Sequence, residues 1–338
     1  GELFDGPVAD ATHGLGELRR DRADGIMIAP RATDPCLGAI PFVCSSDAQC
    51  VGGMCGPEGY WSFPDATCES QRRLGLHAPA ALSEELDAAR PVKALRLMGE
   101  DLVLFRDERG RLGLIDRHCP HRGADLAYGR PEDGGLRCPF HGWLFDVTGA
   151  CLEQPAEPPD SRFHSKVRAP GYPCVERNGV IFAWLGGGAP PALPAFDCYA
   201  APESHSFAFK GYLECNWLQA LEVGIDPAHA SFLHRYFEDD DPDAGYGLQF
   251  RDYTAGAEVQ VTKILRDFPA PRIEVDATDY GLRIFALRAL NERDMHIRVT
   301  NLAFPNAVVI PMSNEMIITQ WHVPIDDAHC WWYAVFTS

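Results

Sequence analysis

Two short stretches of the chain carry side chains that bind soft metals. Cys119 and His121 are separated by one residue, Cys138 and His141 by two residues, and a spacer of sixteen residues lies between the pairs. Two thiols and two imidazoles can hold a tetrahedral zinc ion. Zinc fingers, however, usually place a Cys pair before a His pair, and neighbours as close as Cys119 and His121 rarely reach one ion. A cluster of two irons removes this difficulty, because each pair can send its thiol to one iron and its imidazole to the other.

The residues around these pairs resemble the signature of Rieske [2Fe-2S] proteins. The respiratory-complex type of Rieske protein has an extra Cys in each loop, but Ala124 and Phe140 occupy those places here. The resemblance is therefore to the ring-hydroxylating oxygenase branch, and it implies that all four side chains bind a [2Fe-2S] cluster. Each loop also has a proline that stiffens it and a glycine that permits a tight turn: Pro120 and Gly123, then Pro139 and Gly142.

The oxygenase branch predicts a mononuclear iron further along the chain. Residues 214–237 read ECNWLQALEVGIDPAHASFLHRYF and resemble the catalytic helix of the phthalate 4,5-dioxygenase-like group of alpha subunits. The resemblance implies that His229 and His234 are two ligands of a 2-His-1-carboxylate Fe(II) site. Their spacing of five residues corresponds to about 140° around a straight helix. We therefore expect a distorted or interrupted helix, with Gly224 and Pro227 as causes.

Asp226 lies three residues before His229 and so on the same side of a helix. A carboxylate there can accept a proton from the non-ligating imidazole nitrogen and fix the tautomer. The resemblance implies that Asp226 passes electrons from the cluster of one chain to the iron of the next, and that the protein is a homotrimer or a multiple of it. The alternative is a helix-capping or surface aspartate. Asn216 and Glu222 also match the motif but are equally explained as polar residues of a helix.

The third iron ligand of the family is a carboxylate on a long helix well beyond the second His. This chain ends in DDAHCWWYAVFTS, which reads as the last strand of the catalytic sheet. We therefore expect that ligand beyond residue 338, in a longer reading frame of which this chain is a part incomplete at its C-terminus. Asp326 and Asp327 are the nearest late carboxylates, but they lie in a predicted turn. Without the third ligand, we expect weak iron binding and little turnover.

The hydrophobic patterns predict an α+β fold class with two domains. A small antiparallel β Rieske domain is expected over 78–190, and a helix-grip catalytic domain, an antiparallel sheet plus helices, over 191–338. The resemblance supplies the helix-grip shape. In the catalytic domain we predict strands at 247–254, 257–266, 272–277, 282–290, 295–303, 306–311, 315–323 and 330–336.

Residues 1–77 form a Cys-rich segment of unknown role that resembles no part of the family. Their cysteine spacing is typical of a secreted module held by disulfides. That conflicts with the reducing cytoplasm in which we expect a Rieske oxygenase to work. We interpret the segment as a fusion or assembly artefact, with an additional metal site as the weaker alternative. The cysteines concerned are Cys36, Cys44, Cys50, Cys55 and Cys68.

Charge and missing motifs limit the possible partners. The net charge of −18 over 338 residues argues against nucleic acid or an anionic membrane. The sequence has no apolar run near eighteen residues and no signal sequence at its start. It also lacks a dinucleotide-binding fingerprint. We therefore expect electrons from a separate flavin-containing and iron–sulfur-containing reductase.

The function expected from the resemblance is that of an oxygenase component. With O₂ and the reductase's electrons, it would hydroxylate or demethylate an aromatic substrate that can carry a carboxylate. Arg283, Arg288 and Arg298 are candidates to pair with that carboxylate, although outward-facing strand residues are the simpler interpretation. Three alternatives stay open: a Rieske-type electron carrier, an inactive fragment lacking the third iron ligand, and a zinc-binding interaction protein.

Overall fold

The computed structural model describes residues 42–43, 60–61, 75–234, 261–312 and 316–338. The five cysteines of the N-terminal segment and the predicted strand at 247–254 lie outside these residues. No helix among the described residues is long and apolar enough to cross a membrane. The described part of the chain falls into two compact units. The first unit is Gly75–Trp217 with Ile317–Ser338, and the second is Leu218–Met316.

The first unit consists of small antiparallel sheets. The strands are β3 (His77–Leu82), β4 (Val92–Leu97), β5 (Glu100–Arg106), β6 (Leu112–Asp116), β7 (Arg130–Glu132), β8 (Gly135–Arg137), β9 (Leu144–Asp146), β10 (Cys151–Glu153), β11 (Gly171–Tyr172), β12 (Cys174–Arg177), β13 (Val180–Trp184), β14 (Ser206–Leu213), β19 (Ile317–Pro324) and β20 (Cys330–Thr337). Three sheets have the strand orders β12-β13-β3, β11-β6-β5-β4 and β10-β9-β8-β7, and strands β14-β20-β19 are neighbours in a further sheet. Before them, β1 (Phe42–Val43) pairs with β2 (Tyr60–Trp61).

Continuous apolar runs explain the central strands of this unit. In β5 the four residues 102–105 are all buried, and β13 reads VIFAW with every residue buried. A run of this kind is typical of a strand covered on both faces. Phe105 of β5 and Phe145 of β9 are fully buried in one core cluster. Each contributes about 1.5–3 kcal/mol relative to an exposed ring.

The two predicted cluster loops leave the ends of these strands. Cys119–Ala124, hereafter loop 1, follows β6, and Cys138–Trp143, hereafter loop 2, joins β8 to β9. Both loop cysteines belong to the same core cluster as Phe105 and Phe145. The packed strands therefore hold the first residue of each loop in place.

The second unit combines a strand meander with short helices. The order β18-β17-β16-β15 is antiparallel throughout. These strands and the three helices match the predicted mixture of sheet and helices. The elements are α1 (Trp217–Ile225), which begins at the last residue before the unit, α2 (Ala230–Leu233), α3 (Val261–Asp267), β15 (Arg272–Thr278), β16 (Gly281–Ala289), β17 (Met295–Ala303) and β18 (Ala307–Pro311).

One strand prediction is wrong. Residues 257–266 were expected to form a strand; 257–260 lie outside the described residues, and Val261–Asp267 is the helix α3. Val261 and Leu265 are four residues apart and pack on Ala230 of α2. This spacing suits one face of a helix, and the contact outweighs the local strand preference. The predicted strands from residue 272 onward are confirmed with small shifts of their ends.

A half-buried charge cluster ties the start of the first unit to the edge strand β14. Glu85 lies 2.7 Å from the Lys210 ammonium and 3.1 Å from the Lys93 ammonium. It also accepts the Leu82 N–H at 2.9 Å. Burial opposes ionisation of this carboxyl, but these hydrogen bonds and charges outweigh it and hold the pKa of Glu85 below its ordinary value of 4.5.

We predict that Glu85→Gln lowers the melting temperature near neutral pH and that this difference shrinks in acid. A carboxyl with a depressed pKa stabilises the fold above its unfolded pKa and loses that contribution as pH falls through the folded pKa. Thermal unfolding of both proteins between pH 7 and pH 3 measures this, with Glu84→Gln at an exposed neighbouring position as the control. A difference that stays constant with pH would contradict the role given to the Glu85 charge.

Candidate metal centres

Loop 1 is a tight turn closed by two backbone hydrogen bonds. The Cys119 N–H donates to the Ala124 carbonyl at 2.9 Å, and the Gly123 N–H donates back to the Cys119 carbonyl at 2.8 Å. Gly123 has φ +68°, in the left-handed region that favours glycine. The turn fixes the cysteine at its start and leaves His121 at its outer bend.

Loop 2 repeats this arrangement. The Cys138 N–H donates to the Trp143 carbonyl at 2.8 Å, and the Gly142 N–H donates back to the Cys138 carbonyl at 3.1 Å. Gly142 has φ +76°. His141 occupies the position before this glycine, whereas His121 in loop 1 is two residues before its glycine. Both loops therefore share a Cys-Pro start and a glycine before the last residue, while the His position differs.

The two loops bring their thiols together inside the protein. Cys119 and Cys138 are each 2% exposed and sit in the same core cluster. Their side chains are within hydrogen-bond reach, and burial together with this neighbour raises the pKa of Cys119 to about 12. The Cys119 thiol would stay protonated here, whereas a bound metal cation deprotonates a coordinating thiol. The pair therefore fits a cationic group better than it fits free thiolates.

The two imidazoles also form a pair, on the outer side of the loops. The ring centroids of His121 and His141 are 4.6 Å apart at an interplanar angle of 66°. The Trp143 ring stacks on His121 at 4.5 Å and 10°. Both histidines are partly exposed, unlike the thiols. The four predicted side chains are thus brought together as an inner thiol pair and an outer imidazole pair.

The separation of the four side chains into two pairs distinguishes a site for one metal ion from a site for a two-iron cluster. Among the described residues, no group of three or more His, Cys, Asp or Glu side chains converges as the ligands of one ion would. A structural zinc ion needs its ligands around one point. A [2Fe-2S] cluster instead takes two thiolates on one iron and two imidazoles on the other. The donor set and its division into pairs fit the cluster.

The second predicted site lies where the helical segment is interrupted. Helix α1 ends at Ile225, and α2 begins at Ala230. His229 and His234 flank α2 at its two ends, and their ring centroids are 5.1 Å apart at 74°. The break predicted from the five-residue spacing is confirmed. It places the two imidazoles next to each other, which a straight helix would not do.

Asp226 fills the break and faces His229. Its two carboxylate oxygens accept the N–H groups of Ala228 at 2.7 Å and of His229 at 3.2 Å. One of them is 3.6 Å from His229 Nδ1, too far for a hydrogen bond. These contacts are those of a capping aspartate, the alternative considered from the sequence.

The structure gives the other motif residues simple positions. The Asn216 amide donates to the Asp327 carbonyl at 2.9 Å, and Glu222 is exposed on α1. Asp326 lies in the turn between β19 and β20, where it accepts the His329 N–H at 2.9 Å and contacts the His329 ring at 2.8 Å. Within the described part of the chain, no carboxylate completes a three-ligand set with His229 and His234.

The side-chain direction predicted for one arginine of the sheet was wrong. Arg288 was expected to face outward, yet it is only 2% exposed. It donates to the Ser231 hydroxyl of α2 at 3.0 Å and to the Phe268 carbonyl at 2.9 Å. The strand register pairs Arg288 with His296 and places Arg298 on the same face of the sheet. An alternation of polar and apolar residues could have shown this shared face, but not which side was covered.

Two models of known protein families match this chain. Residues 77–173 match the Rieske [2Fe-2S] domain, and residues 188–337 match the LigXa C-terminal domain. The oxygenase subunit of phthalate 4,5-dioxygenase from Pseudomonas putida is 40% identical over 266 residues, covering 75% of this chain and 57% of the relative. The chain belongs to the Rieske oxygenase family. The division into domains at 78–190 and 191–338 stays a prediction.

Other relatives extend this family likeness over the same region. The oxygenase subunit of tert-butanol monooxygenase / tert-amyl alcohol desaturase from Aquincola tertiaricarbonis is 37% identical over 264 residues, covering 74% of this chain and 53% of the relative. This Rieske oxygenase chain therefore spans little more than half the length of those relatives.

Solved structures show the same fold. Dicamba monooxygenase bound to 3,6-dichlorosalicylic acid superposes with a TM-score of 0.58 at 20% identity, covering 78% of this chain and 77% of that one. Another crystal structure of dicamba monooxygenase contains a non-haem iron. The predicted α+β fold is confirmed, and the two predicted cofactors are those of the Rieske oxygenase family.

Loop 2 of this Rieske oxygenase chain should tolerate a side chain at its glycine less well than loop 1. Alanine at Gly123 or Gly142 meets the same left-handed backbone, which costs about 1–2 kcal/mol. A Cβ at Gly123 has no neighbour within 4 Å, whereas a Cβ at Gly142 lies 3.2 Å from the Pro155 ring. We predict that Gly142→Ala lowers the free energy of unfolding by about 1 kcal/mol more than Gly123→Ala. Denaturant unfolding of the two variants tests this, and equal losses would contradict it.

Proposed function

We propose that this chain is the oxygenase component of a multicomponent Rieske oxygenase that uses O₂ and supplied electrons to hydroxylate or demethylate an aromatic substrate. His229 and His234 hold a ferrous ion. The observation that supports this most directly is the presence of two separate imidazole pairs in one chain, only one of which accompanies thiols. An electron carrier needs only the first. The ligands of the cluster are Cys119, His121, Cys138 and His141.

The bound cofactors supply one-electron transfer at the cluster and oxygen activation at the ferrous ion. The chain's own residues prepare these sites. The core strands hold the thiols of Cys119 and Cys138 away from water. The stacked ring of Trp143 limits the orientations open to His121. Asp226 accepts the backbone N–H groups of Ala228 and His229 and so holds the helix break that places the His229 imidazole.

The electron donor is proposed to be a separate flavin-containing and iron–sulfur-containing reductase. Several relatives are named as oxygenase subunits or components, which supports a division of labour between chains. We also propose a homotrimer in which Asp226 passes electrons to His229 from the cluster of a neighbouring chain. The Asp226 side chain is 45% exposed, as a contact with a neighbour requires. The seven described cysteines are free thiols, which suits the reducing cytoplasm.

Basic residues beside the second imidazole pair favour a carboxylated substrate. Arg288 and His296 lie opposite each other on β16 and β17, and Arg298 is two residues further along. Arg288 also reaches the hydroxyl of Ser231, which lies between His229 and His234 on α2. The charge of Arg298 contributes to lowering the pKa of His234, after the larger effects of burial and His229. The basic group therefore adjoins the proposed iron ligands.

This basic group has no acidic counterpart in the part of the chain that the structure describes. Burial lowers the pKa of Arg288, and burial followed by the Arg288 charge lowers the pKa of Arg298 to about 10. No carboxylate contributes to either shift. Among the described residues, no hydrogen-bond partner meets one buried guanidinium nitrogen of Arg288 or the buried Nδ1 of His296. Relatives named for phthalate and 3-chlorobenzoate act on aromatic acids, and an aromatic carboxylate would supply the missing charge here.

Metal and sulfide counting tests the proposed function. We expect brown protein that dithionite bleaches, with two irons and two sulfides per chain in the cluster and one further iron that a chelator removes. Ala at both His229 and His234 should abolish the further iron and leave the cluster, whereas Cys138→Ser should abolish the cluster. Light scattering of the same sample reports whether it is a trimer. Colourless protein with zinc at the loops would overturn the proposal, and a sample with only the cluster would favour an electron carrier.

Arg298→Gln tests the carboxylate proposal. We predict that its dissociation constant for benzoate-type acids, measured by calorimetry, rises about 10-fold or more, because a charge-assisted hydrogen bond contributes roughly 1.5–3 kcal/mol. Binding of a neutral aryl methyl ether should not change. The matched control is Arg283→Gln on the same sheet, since Arg283 contacts Tyr280 and Asn301 at the surface. Equal loss of acid and ether binding, or an equal effect of the control, contradicts the assignment.

A further inference from the structure

The two cluster loops differ in how the rest of the protein anchors them. Before loop 1, Arg117 forms a two-bond ion pair with Asp125, at 3.0 and 2.6 Å, and its side chain is not bonded to the loop backbone in the described contacts. Before loop 2, Arg137 contacts the loop itself, because its Nη1 donates to the Gly142 carbonyl at 2.8 Å. The similar loops therefore have unequal supports.

Three carboxylates hold the Arg137 guanidinium in one orientation. Glu153 of β10 lies 2.7 Å from Nη1, Asp133 lies 3.1 Å from Nη2, and Glu132 of β7 pairs with Nε. The Arg137 side chain is only 11% exposed. Burial opposes its charge, but the hydrogen bonds to Glu153 and Glu132 raise the pKa of Arg137 on balance. A planar guanidinium with its nitrogens occupied in this way has little freedom to turn.

The contact with Gly142 reaches both imidazoles. Its carbonyl belongs to the peptide that joins Gly142 to Trp143, so Arg137 fixes the end of loop 2 directly after His141. The Trp143 ring stacks on His121 of the other loop at 4.5 Å. His121 and His141 are themselves 4.6 Å apart. A shift of this one peptide would therefore move one imidazole through the backbone and the other through the stacked ring.

We propose that Arg137 is a positioning residue that sets the relative orientation of His121 and His141 through the Gly142–Trp143 peptide. The inference rests on the proposed function, because the imidazole pair matters electronically only when it holds the cluster. The role needs the forked guanidinium. A single ammonium or amide at this place cannot bond the Gly142 carbonyl and three carboxylates in one plane.

The test compares Arg137→Gln and Arg137→Lys with Arg130→Gln in the full chain. Arg130 is a matched control, because it lies opposite Arg137 in the β7–β8 register and pairs with the same Glu132 at 3.3 Å, but is 62% exposed and has no described hydrogen bond to loop 2. The measurements are the EPR spectrum of the dithionite-reduced protein and the rate at which a chelator removes the cluster. We expect both Arg137 variants to show shifted EPR g values. Arg137→Gln should also lose its cluster about 10-fold faster than the parent.

The control variant should match the parent protein in both measurements. Arg137→Lys keeps the charge and guards against simple unfolding of the Gln variant. If Arg137→Lys folds and gives the parent EPR spectrum, the positioning role is overturned. The same holds if both Arg137 variants behave like Arg130→Gln. A parent protein without a [2Fe-2S] spectrum is a different result, since it overturns the proposed function itself.

Discussion

The closure of two short loops by the same pair of backbone hydrogen bonds is the constraint on which the rest of the structure depends. In each loop the cysteine N–H and carbonyl are both occupied within five residues, at distances between 2.8 and 3.1 Å. A turn this tight needs a left-handed residue, which Gly123 and Gly142 supply. Its consequence is a fixed direction for each side chain: thiols toward the core and imidazoles toward the surface.

The surrounding sheets provide the packing that holds the two loops. Strands β5, β6, β8 and β9 supply apolar side chains to the core cluster that covers the thiols. Ion pairs, in contrast, lie at the rim: Arg117 with Asp125 and Arg137 with its three carboxylates. Apolar packing thus positions the sulfur side of the site, and of these ion pairs only that of Arg137 includes a described bond to a loop backbone, at the Gly142 carbonyl. This division suits a cofactor that must be held firmly and yet exchange electrons at its edge.

In the second unit, a break in a helical segment brings two imidazoles together. Two imidazoles five residues apart point in different directions on a regular helix. The break between Ile225 and Ala230, capped by Asp226, brings His229 and His234 edge to face instead. The same break leaves Ser231 available to Arg288 of the sheet. One local departure from helical geometry therefore arranges both the proposed iron ligands and their contact with the basic group.

Features encoded by local spacing could be predicted from the sequence, and features decided by packing could not. The pairs at Cys119 and Cys138 predicted a cluster because their close spacing disfavours one tetrahedral ion and resembles the Rieske signature. The five-residue interval between His229 and His234 predicted the break. The strand at 257–266 was wrong because the contact of Val261 and Leu265 with Ala230 decides its conformation.

The burial of Arg288 was missed for a related reason. Polar alternation on β16 gives two faces, but only the tertiary structure shows which face is covered. The contact of Arg137 with Glu153 was equally hidden, since that carboxylate comes from a separate strand, β10. Side chains that act through distant partners leave no periodic signal along the chain.

The central claim is that the two loops place both imidazoles on one iron of a shared cluster. Pulsed EPR of the reduced protein, produced with ¹⁵N-labelled histidine, measures this directly. The account predicts hyperfine couplings from two histidine nitrogens, both of which are lost only when the cluster is lost, and one of which disappears in His141→Cys. A reduced cluster without histidine coupling, or loops that bind zinc and give no signal, would contradict it.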